Sequence, residues 1–224
     1  MKIVHALGIE GARAATSGAV VVIDVLRAFT VSAFALAGGA RECLLVPTVD
    51  EARGLAAAIP GAVISAEENT LPIPGIEISN SPTAITQADL RDRTLVQRTS
   101  AGTPVINAVA EELDTFAGSL AVARATAQAC LLRRPGTITL IASGDFPEDH
   151  ACARYMQAVI EGHEVDVQRL LASLYDSERY AKFAKGDWPG FPRTDLDLSL
   201  APDRFDFAMP AHREAGHVRL TAQR

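Results

Sequence analysis

Residues 20–23 are Val20-Val21-Val22-Ile23, a run of β-branched residues with no polar residue among them. Such a run is typical of a strand that is buried on both faces, as in a parallel sheet between two layers of helices. The run ends at Asp24, and a second apolar segment begins around Arg27. We therefore predict a buried strand that leads directly into a helix.

The rest of the chain continues this alternation of apolar runs and helix-forming segments. Helices are predicted near residues 27–37, 48–58, 104–112, 119–133 and 148–161, and strands near 41–46, 62–65, 94–98 and 137–142. This rhythm predicts an α/β fold in three layers (α/β/α), with a mostly parallel or mixed sheet. We expect one domain over residues 1–224, with a C-terminal extension (about 164–224) that contains a helix at 166–184 and packs on the same core.

The composition argues against several classes of protein. Apolar residues make up 48% of the chain and charged residues 21%, a balance that is typical of globular proteins. The formal net charge is −6 and the chain has no cluster of basic residues, so we expect no nucleic-acid partner. The apolar stretch 18–40 contains Asp24 and Arg27, which are costly inside a bilayer, so we expect no membrane span.

The cysteines and the N-terminus indicate a compartment. Cys43, Cys130 and Cys152 are odd in number and lack the CxxC spacing of a zinc or redox site, so we expect free thiols in a reducing environment. No sustained apolar run precedes Glu10, which argues against a signal peptide. We expect a cytoplasmic protein, and a homodimer because that assembly is the commonest.

Polar residues that directly follow the apolar runs are the candidates for a site, because ligands of open α/β sheets bind beyond the carboxyl ends of the strands. Asp24 follows the first run and can hold a cation, while Arg27 can hold an anionic group. Alternatively, Asp24 caps the next helix and pairs with Arg27. Both interpretations stay open.

Two further strand ends carry candidate residues. Glu67 and Glu68 follow the run near 62–65, and two adjacent acids are more often surface residues than ligands. Residues 99–103 lie between a predicted strand and a helix that Pro104 would open. Their backbone N–H groups and hydroxyls can bind an oxyanion, although Thr103 can equally serve as a simple helix cap.

A fourth strand end leads into the segment 143–150. Asp145 with Glu148 three residues later resembles a capping box, and acids suit the first turn of a helix, so a structural role is well supported. Asp149 and His150 come next, and His150 can donate a proton to a leaving group if it faces the site.

Carboxylates from several strand ends belong at one edge of the sheet, where they would need a cation or a shared proton. Two carboxylates about 4 Å apart repel by about 4 kcal/mol at an effective dielectric of 20. Oxygen ligands without His or Cys favour Mg²⁺. Beside an anion-binding loop and Arg27, a magnesium ion is suited to phosphoryl transfer.

The sequence also resembles a known family, the 2-phosphosulfolactate phosphatases. The markers of that family occur here in order as Val22-Ile23-Asp24-Val25-Leu26-Arg27-Ala28-Phe29-Thr30, Asn80-Ser81-Pro82, Gly102-Thr103 and Glu148-Asp149. The resemblance implies an α/β/α fold and a Mg²⁺-dependent hydrolase of phosphoric monoesters. It further implies removal of phosphate from 2-phospho-3-sulfolactate, a step toward coenzyme M.

The resemblance also implies roles for single residues. The implied metal ligands are Asp24, Glu67 and Asp149, with Glu148 in reserve. The implied catalytic residues are Asp24, Arg27, Glu148 and Asp149. The residues implied to bind a small anionic phosphate monoester are Arg27, Thr99, Ser100, Gly102 and Thr103. Whether Asp24 acts only as a ligand or also as a nucleophile stays open.

The chain departs from the family pattern at three positions, which leaves the substrate open. Ala66 replaces a glycine, Ala101 an asparagine and Arg154 a small residue. One alternative is a non-catalytic anion-binding domain that has kept the fold. Another is a cysteine amidohydrolase of the isochorismatase-like type, which we disfavour because that chemistry needs an activating lysine and the three lysines lie near the ends of the chain.

Overall fold

The computed structural model describes all residues from 1 to 224 and confirms the α/β class. The strands are β1 (Lys2–Leu7), β2 (Ala19–Ile23), β3 (Glu42–Leu45), β4 (Val63–Glu68), β5 (Leu71–Pro72), β6 (Thr94–Arg98), β7 (Asp114–Gly118), β8 (Thr137–Ala142), β9 (Met209–Glu214) and β10 (His217–Leu220). The helices are α1 (Gly8–Ala14), α2 (Ala28–Ala37), α3 (Val49–Ala58), α4 (Pro82–Gln87), α5 (Gly102–Ala108), α6 (Ala123–Leu132), α7 (Pro147–Glu161), α8 (Val167–Leu170), α9 (Ala172–Tyr175), α10 (Glu178–Ala184) and α11 (Thr194–Ser199).

The strands form one mixed sheet in the order β1-β8-β2-β7-β9-β10-β3-β6-β4-β5. Two groups of parallel strands, β1-β8-β2-β7 and β3-β6-β4, make up most of it. The hairpin of β9 and β10 lies between the two groups and pairs antiparallel with β7 on one side and β3 on the other. The C-terminal extension therefore supplies the middle of the sheet in addition to packing against it.

The predicted strand at 20–23 lies at the centre of two apolar cores. All five residues of β2 are buried. Val20 and Val22 belong to one core together with residues of α2 and α5, whereas Val21 and Ile23 belong to a second core with residues of α6 and α7. Because successive side chains of a strand point to opposite faces, these two cores cover the two faces of the sheet. The layered arrangement predicted from the sequence is confirmed.

Some helix boundaries differ from the prediction. The single helix expected at 166–184 is three short helices, α8 to α10. The last break occurs at Ser177, whose hydroxyl donates to the carbonyl of Leu174 and accepts from the N–H of Tyr180, so it caps the next helix instead of continuing the first. The helix expected to open at Pro104 begins at Gly102. No helix is both long and apolar enough to cross a bilayer.

The register of the sheet aligns the ends of the strands that carry the candidate residues. Ile23 at the end of β2 is paired with Gly118 of β7 and with Ala142 of β8. In the other parallel group, Ala66 of β4 is paired with Arg98 of β6. Glu67 and the loop that starts at Thr99 therefore leave the sheet side by side.

Candidate active site

A cavity of about 260 Å³ lies where β2 and β6 end and beside the end of β4. One side, which we call the strand-end wall, consists of Asp24, Glu67 and the loop 99–101. A second group of lining residues, which we call the aromatic wall, consists of three phenylalanines and the two arginines that stack on them. Its members are Phe146, Phe183, Phe191, Arg27 and Arg179. Asn80 also contributes to the lining.

Asp24 is a buried carboxyl group held by backbone N–H groups on both oxygens. Ala28 donates to Oδ1 at 2.9 Å, and Gly102 donates to Oδ2 at 2.8 Å. Burial raises the pKa of Asp24 to about 6 from its usual value of 3.8, the two N–H groups oppose this shift, and the negative charge of Glu67 adds to it. Asp24 therefore holds the first turn of α2, as the structural interpretation predicted, and also faces the cavity.

Gly102 is the residue that allows the loop to approach Asp24 this closely. A Cβ atom at position 102 would lie 2.8 Å from Oδ2 of Asp24 and 3.0 Å from the ring of Phe29. Neither contact leaves room for a methyl group. A glycine at this position is therefore required by the hydrogen bond itself.

Glu67 is held in the same way, although it was expected to lie on the surface with Glu68. Glu67 is only 4% exposed, whereas Glu68 is exposed. Ser100 donates its N–H to Oε1 of Glu67, and Thr70 donates its N–H to Oε2. The surface interpretation is right for Glu68 and wrong for Glu67.

The loop 99–103 therefore uses its backbone differently from the prediction. The N–H groups of Ser100 and Gly102, which were expected to face an oxyanion, donate to the protein's own carboxylates. Thr103 is buried behind the loop, where its hydroxyl is hydrogen-bonded to that of Thr99 at 3.0 Å, and it does not cap α5. Thr99 and Ser100 line the cavity, but Gly102 and Thr103 do not.

Arg27 is paired with a residue that the sequence did not single out. Its Nη1 donates to Asp195 at 2.7 Å and to the carbonyl of Gly190, and its guanidinium lies 4.1 Å from the centre of the Phe191 ring. The expected pair between Asp24 and Arg27 is not formed. Asp195 also accepts from Ser81 and from the N–H of Thr83, so it joins the aromatic wall to the loop that carries Asn80.

Glu148 and Asp149 lie at the start of α7, where both are fully buried and neither lines the cavity. Asp149 accepts from the N–H of Val25 at 2.8 Å and from the hydroxyl of Ser143 at 2.9 Å. Burial raises the pKa of Asp149, and the charges of Asp24 and Glu148 raise it further. Glu148 accepts from Nε of Arg179 at 2.9 Å. The predicted capping box is absent, because α7 begins after Phe146 without a side-chain cap.

Every buried carboxyl group of the protein lies in this site or next to it. The buried acids are Asp24, Glu67, Glu148, Asp149 and Asp195. The arginines that pair with them or share the cavity are Arg27 and Arg179. Five acids against two arginines leave an excess of negative charge that protonation or a bound cation must offset.

No three of the His, Cys, Asp and Glu side chains are grouped so that they could hold a metal ion by themselves. Asp24 and Glu67 both line the cavity, but Asp149 does not. The three-carboxylate site therefore stays a prediction, and the structure fits a smaller donor set. Each oxygen of Asp24 and Glu67 accepts one N–H and keeps a second lone pair, and Mg²⁺ is commonly held by one or two carboxylates with water and substrate phosphate.

Two other candidates for chemistry lie outside the cavity. His150 is hydrogen-bonded through Nε2 to the exposed Asp145 at 2.8 Å and does not line the cavity. The three cysteines are unpaired and buried, and burial raises the pKa of each thiol, to about 12 for Cys130. A buried thiol with a raised pKa is a poor nucleophile, which argues against the cysteine amidohydrolase.

Comparison with known proteins gives the class and the family. The family model described as 2-phosphosulpholactate phosphatase matches residues 8–185. A Bacillus subtilis (strain 168) protein named "Probable 2-phosphosulfolactate phosphatase" is 37% identical over 87% of both chains. Proteins of the same name from Carboxydothermus hydrogenoformans and Clostridium novyi (strain NT) are each 33% identical, over 67% and 61% of this chain and 64% and 60% of their own.

These matches define a phosphatase, a hydrolase of phosphoric monoesters, and the α/β fold is the one expected from the resemblance. More narrowly, the chain belongs to the 2-phosphosulfolactate phosphatase family. The resemblance predicted from the sequence is confirmed at this level.

The sequence did not predict a role for three residues of the site, Asn80, Arg179 and Asp195. Asn80 lies in the Asn80-Ser81-Pro82 marker, but nothing in the sequence assigned it a role. Arg179 lies in the helix predicted at 166–184 and Asp195 follows it, and no local motif distinguishes either from the other charged residues of that region. Only their buried partners identify them.

Proposed function

We propose that this protein is a Mg²⁺-dependent phosphatase that converts 2-phospho-3-sulfolactate into 3-sulfolactate and phosphate. The single observation that carries the proposal is that all five buried carboxyl groups lie in or next to one cavity whose lining includes two arginines. Asp24 and Glu67 line the cavity, Asp195 and Glu148 pair with its arginines, and Asp149 accepts from the N–H of Val25, next to Asp24. The substrate follows the names of the relatives.

Magnesium is proposed because of the donor set of the strand-end wall. Asp24 and Glu67 offer only oxygen atoms, and the pKa of Asp24 is raised because its charge is buried beside another acid. A bound Mg²⁺ would supply charge neutralisation at the phosphoryl group. Asp24 and Glu67 would hold the ion, and Asp149 would help to position Asp24 through its hydrogen bonds with the N–H of Val25 and the hydroxyl of Ser143.

The other residues of the cavity are suited to bind and orient the ester. Asn80, Thr99 and Ser100 are neutral polar residues of the lining, and the Thr99 hydroxyl is already hydrogen-bonded to that of Thr103. The two arginines supply positive charge in the same cavity as the carboxylates, and the phenylalanines that they stack on would exclude water around the substrate. Electrostatic interactions are stronger in such a water-poor site than in bulk solvent.

The test is phosphate release by the metal-stripped protein, with and without added Mg²⁺. We expect release from 2-phospho-3-sulfolactate that depends on Mg²⁺ and stops with EDTA, and slower release from p-nitrophenyl phosphate, which carries no second acid. Asp145→Asn, which changes an exposed acid outside the cavity, is the matched control and should behave like the parent protein. Phosphate release that persists in EDTA would contradict the proposed dependence on Mg²⁺. Anion binding without any phosphate release would favour the non-catalytic alternative.

Pathway, location and assembly are further parts of the proposal. The product places the reaction on the route toward coenzyme M in organisms that make it. The three unpaired cysteines are consistent with a reducing compartment, so we propose the cytoplasm. A homodimer is proposed from the frequency of that assembly alone.

A further inference from the structure

The two arginines of the aromatic wall differ in how much of their hydrogen-bonding capacity the protein already uses. The Arg27 side chain is 2% exposed and is paired with Asp195, which is fully buried. Asp195 also holds Ser81 and Thr83, so this pair joins three segments of the fold. Arg27, which the sequence suggested as the anion-binding residue, therefore has a structural partner.

Arg179 is more open to the cavity. Its side chain is 23% exposed, and its one short hydrogen bond leaves from Nε to Glu148. Nη2 lies 3.5 Å from the carbonyl of Leu26, at the limit of a hydrogen bond. The guanidinium is stacked 4.0 Å from the centre of the Phe146 ring and lies 5.2 Å from that of Phe183, so its plane is fixed while its terminal N–H groups stay largely unused.

Glu148 provides an independent observation. Its side chain has no exposed surface, and its Oε2 has no hydrogen-bond partner. A buried acceptor without a partner destabilises a fold, most of all when it belongs to a charged group, so such an atom calls for an explanation. Its only hydrogen bond is to Nε of Arg179, which is the contact that would orient the two terminal nitrogens toward a ligand.

We propose that Arg179 binds the acidic group of the substrate that is not transferred, the carboxylate or sulfonate, and that Glu148 is its positioning residue. This rests on the proposed function, because it assumes that the phosphoryl group lies at the strand-end wall. Two terminal nitrogens of a guanidinium match two oxygens of a carboxylate or sulfonate. Arg179 would therefore select substrates that carry a second acid.

The test is the affinity for 3-sulfolactate, which contains both acids but no phosphate, measured by calorimetry beside the affinity for inorganic phosphate. Arg179→Gln removes a charged, two-pronged contact worth about 3 kcal/mol, so we expect roughly a 10²-fold weaker affinity for 3-sulfolactate and a loss under about threefold for phosphate. Arg179→Lys keeps the positive charge but lacks the paired N–H donors of the guanidinium, so its affinity for 3-sulfolactate should be intermediate. Lys182→Gln, one turn along the same helix, is the matched control and should bind like the parent protein.

Two variants of Glu148 test whether it positions Arg179 or has a purely structural role. Glu148→Gln keeps an acceptor for Nε of Arg179 and should retain most of the affinity for 3-sulfolactate, whereas Glu148→Ala should lose it to the same extent as Arg179→Gln. Equal losses for 3-sulfolactate and phosphate in Arg179→Gln, or unchanged 3-sulfolactate binding, would overturn the proposal. These measurements need no turnover, so a parent protein that binds 3-sulfolactate but releases no phosphate would contradict the proposed reaction and not the role of Arg179.

Discussion

The strand-end wall and the aromatic wall hold their charged groups by different means. Asp24 and Glu67 of the strand-end wall each accept two hydrogen bonds from backbone N–H groups. Arg27 and Arg179 of the aromatic wall are each paired with one carboxylate side chain. Backbone groups are present whatever side chains the loops carry, whereas an ion pair is lost when either partner is replaced.

Two of the positions at which the sequence departs from the pattern that the resemblance implies lie beside the carboxylates of the strand-end wall. Ala101 precedes Gly102 and Ala66 precedes Glu67, but the carboxylates are held by the N–H groups of other residues, among them Ser100 and Gly102. In the aromatic wall, by contrast, Asp195 is the only carboxylate that forms an ion pair with Arg27. Substitutions in the two walls should therefore have different consequences.

The largest effect is expected from Asp24→Asn in the strand-end wall. The variant loses a charge that the proposed cation needs, and we expect turnover to fall by about 10³-fold. Stability should change little, because an amide still accepts one of the two N–H groups and no longer buries a charge. Phosphate release at saturating Mg²⁺ and urea unfolding measure the two properties. Turnover within tenfold of the parent would remove Asp24 from the chemistry.

Asp195→Asn tests the aromatic wall and should act mainly on stability. Breaking a buried ion pair leaves Arg27 unpaired, so we expect the free energy of unfolding to fall by about 3 to 5 kcal/mol. Asp197→Asn, an exposed acid in the same helix, is the control and should change it by less than about 0.5 kcal/mol. A loss below about 1 kcal/mol for Asp195→Asn, measured by urea unfolding, would mean that the ion pair does not hold this wall.

The dependence of stability on pH reports the raised pKa values of the carboxylates. Asp24 keeps its proton in the folded protein up to about pH 6, whereas the unfolded chain loses it near 3.8, and the pKa of Asp149 is raised in the same direction. The folded state then binds more protons, so the free energy of unfolding of the metal-free protein should decrease as pH rises through this range, by on the order of 2 to 3 kcal/mol for Asp24.

Two comparisons check the assignment of this pH dependence. Asp24→Asn should flatten the decrease between pH 4 and 6, and added Mg²⁺ should stabilise the parent protein most above pH 6, where Asp24 is ionised. Thermal unfolding over this pH range gives both results. An unchanged slope in Asp24→Asn would assign the effect to other acids.

The smallest effect is expected from Gly102→Ala. The added methyl group would lie 2.8 Å from Oδ2 of Asp24, so the loop must shift and lose its N–H contact, at a cost of about 1 to 3 kcal/mol and roughly tenfold in turnover. Gly54→Ala in α3 meets no atom within 4 Å and should instead stabilise the protein by about 0.5 to 1 kcal/mol. Similar behaviour of the two variants in unfolding and activity assays would show that the close approach at Gly102 is unimportant.

Much of the strand-end wall could be predicted from the sequence, because each part is a local pattern. The β-branched run at 20–23 fixed the position of Asp24, and the runs near 62–65 and 94–98 placed Glu67 and Thr99 at strand ends. The burial of Glu67 could not be predicted, because the residue that holds its Oε1, Ser100, lies on a different strand end. Most of the aromatic wall could not be predicted, because it depends on pairs of residues that are distant in the sequence. Arg27 and Asp195, for example, are 168 residues apart.

The sequence by itself determined the buried strand, the alternation of strands and helices, the acids that follow the strands and the family. Only the tertiary structure decided that the last two strands complete the middle of the sheet, that Asp195 holds Arg27 and that Arg179 faces the cavity. The physical reason is that periodicity and capping are interactions between neighbours in the chain. Strand pairing and buried ion pairs join residues that are distant in the chain, so they produce no local pattern that can be recognised in the sequence.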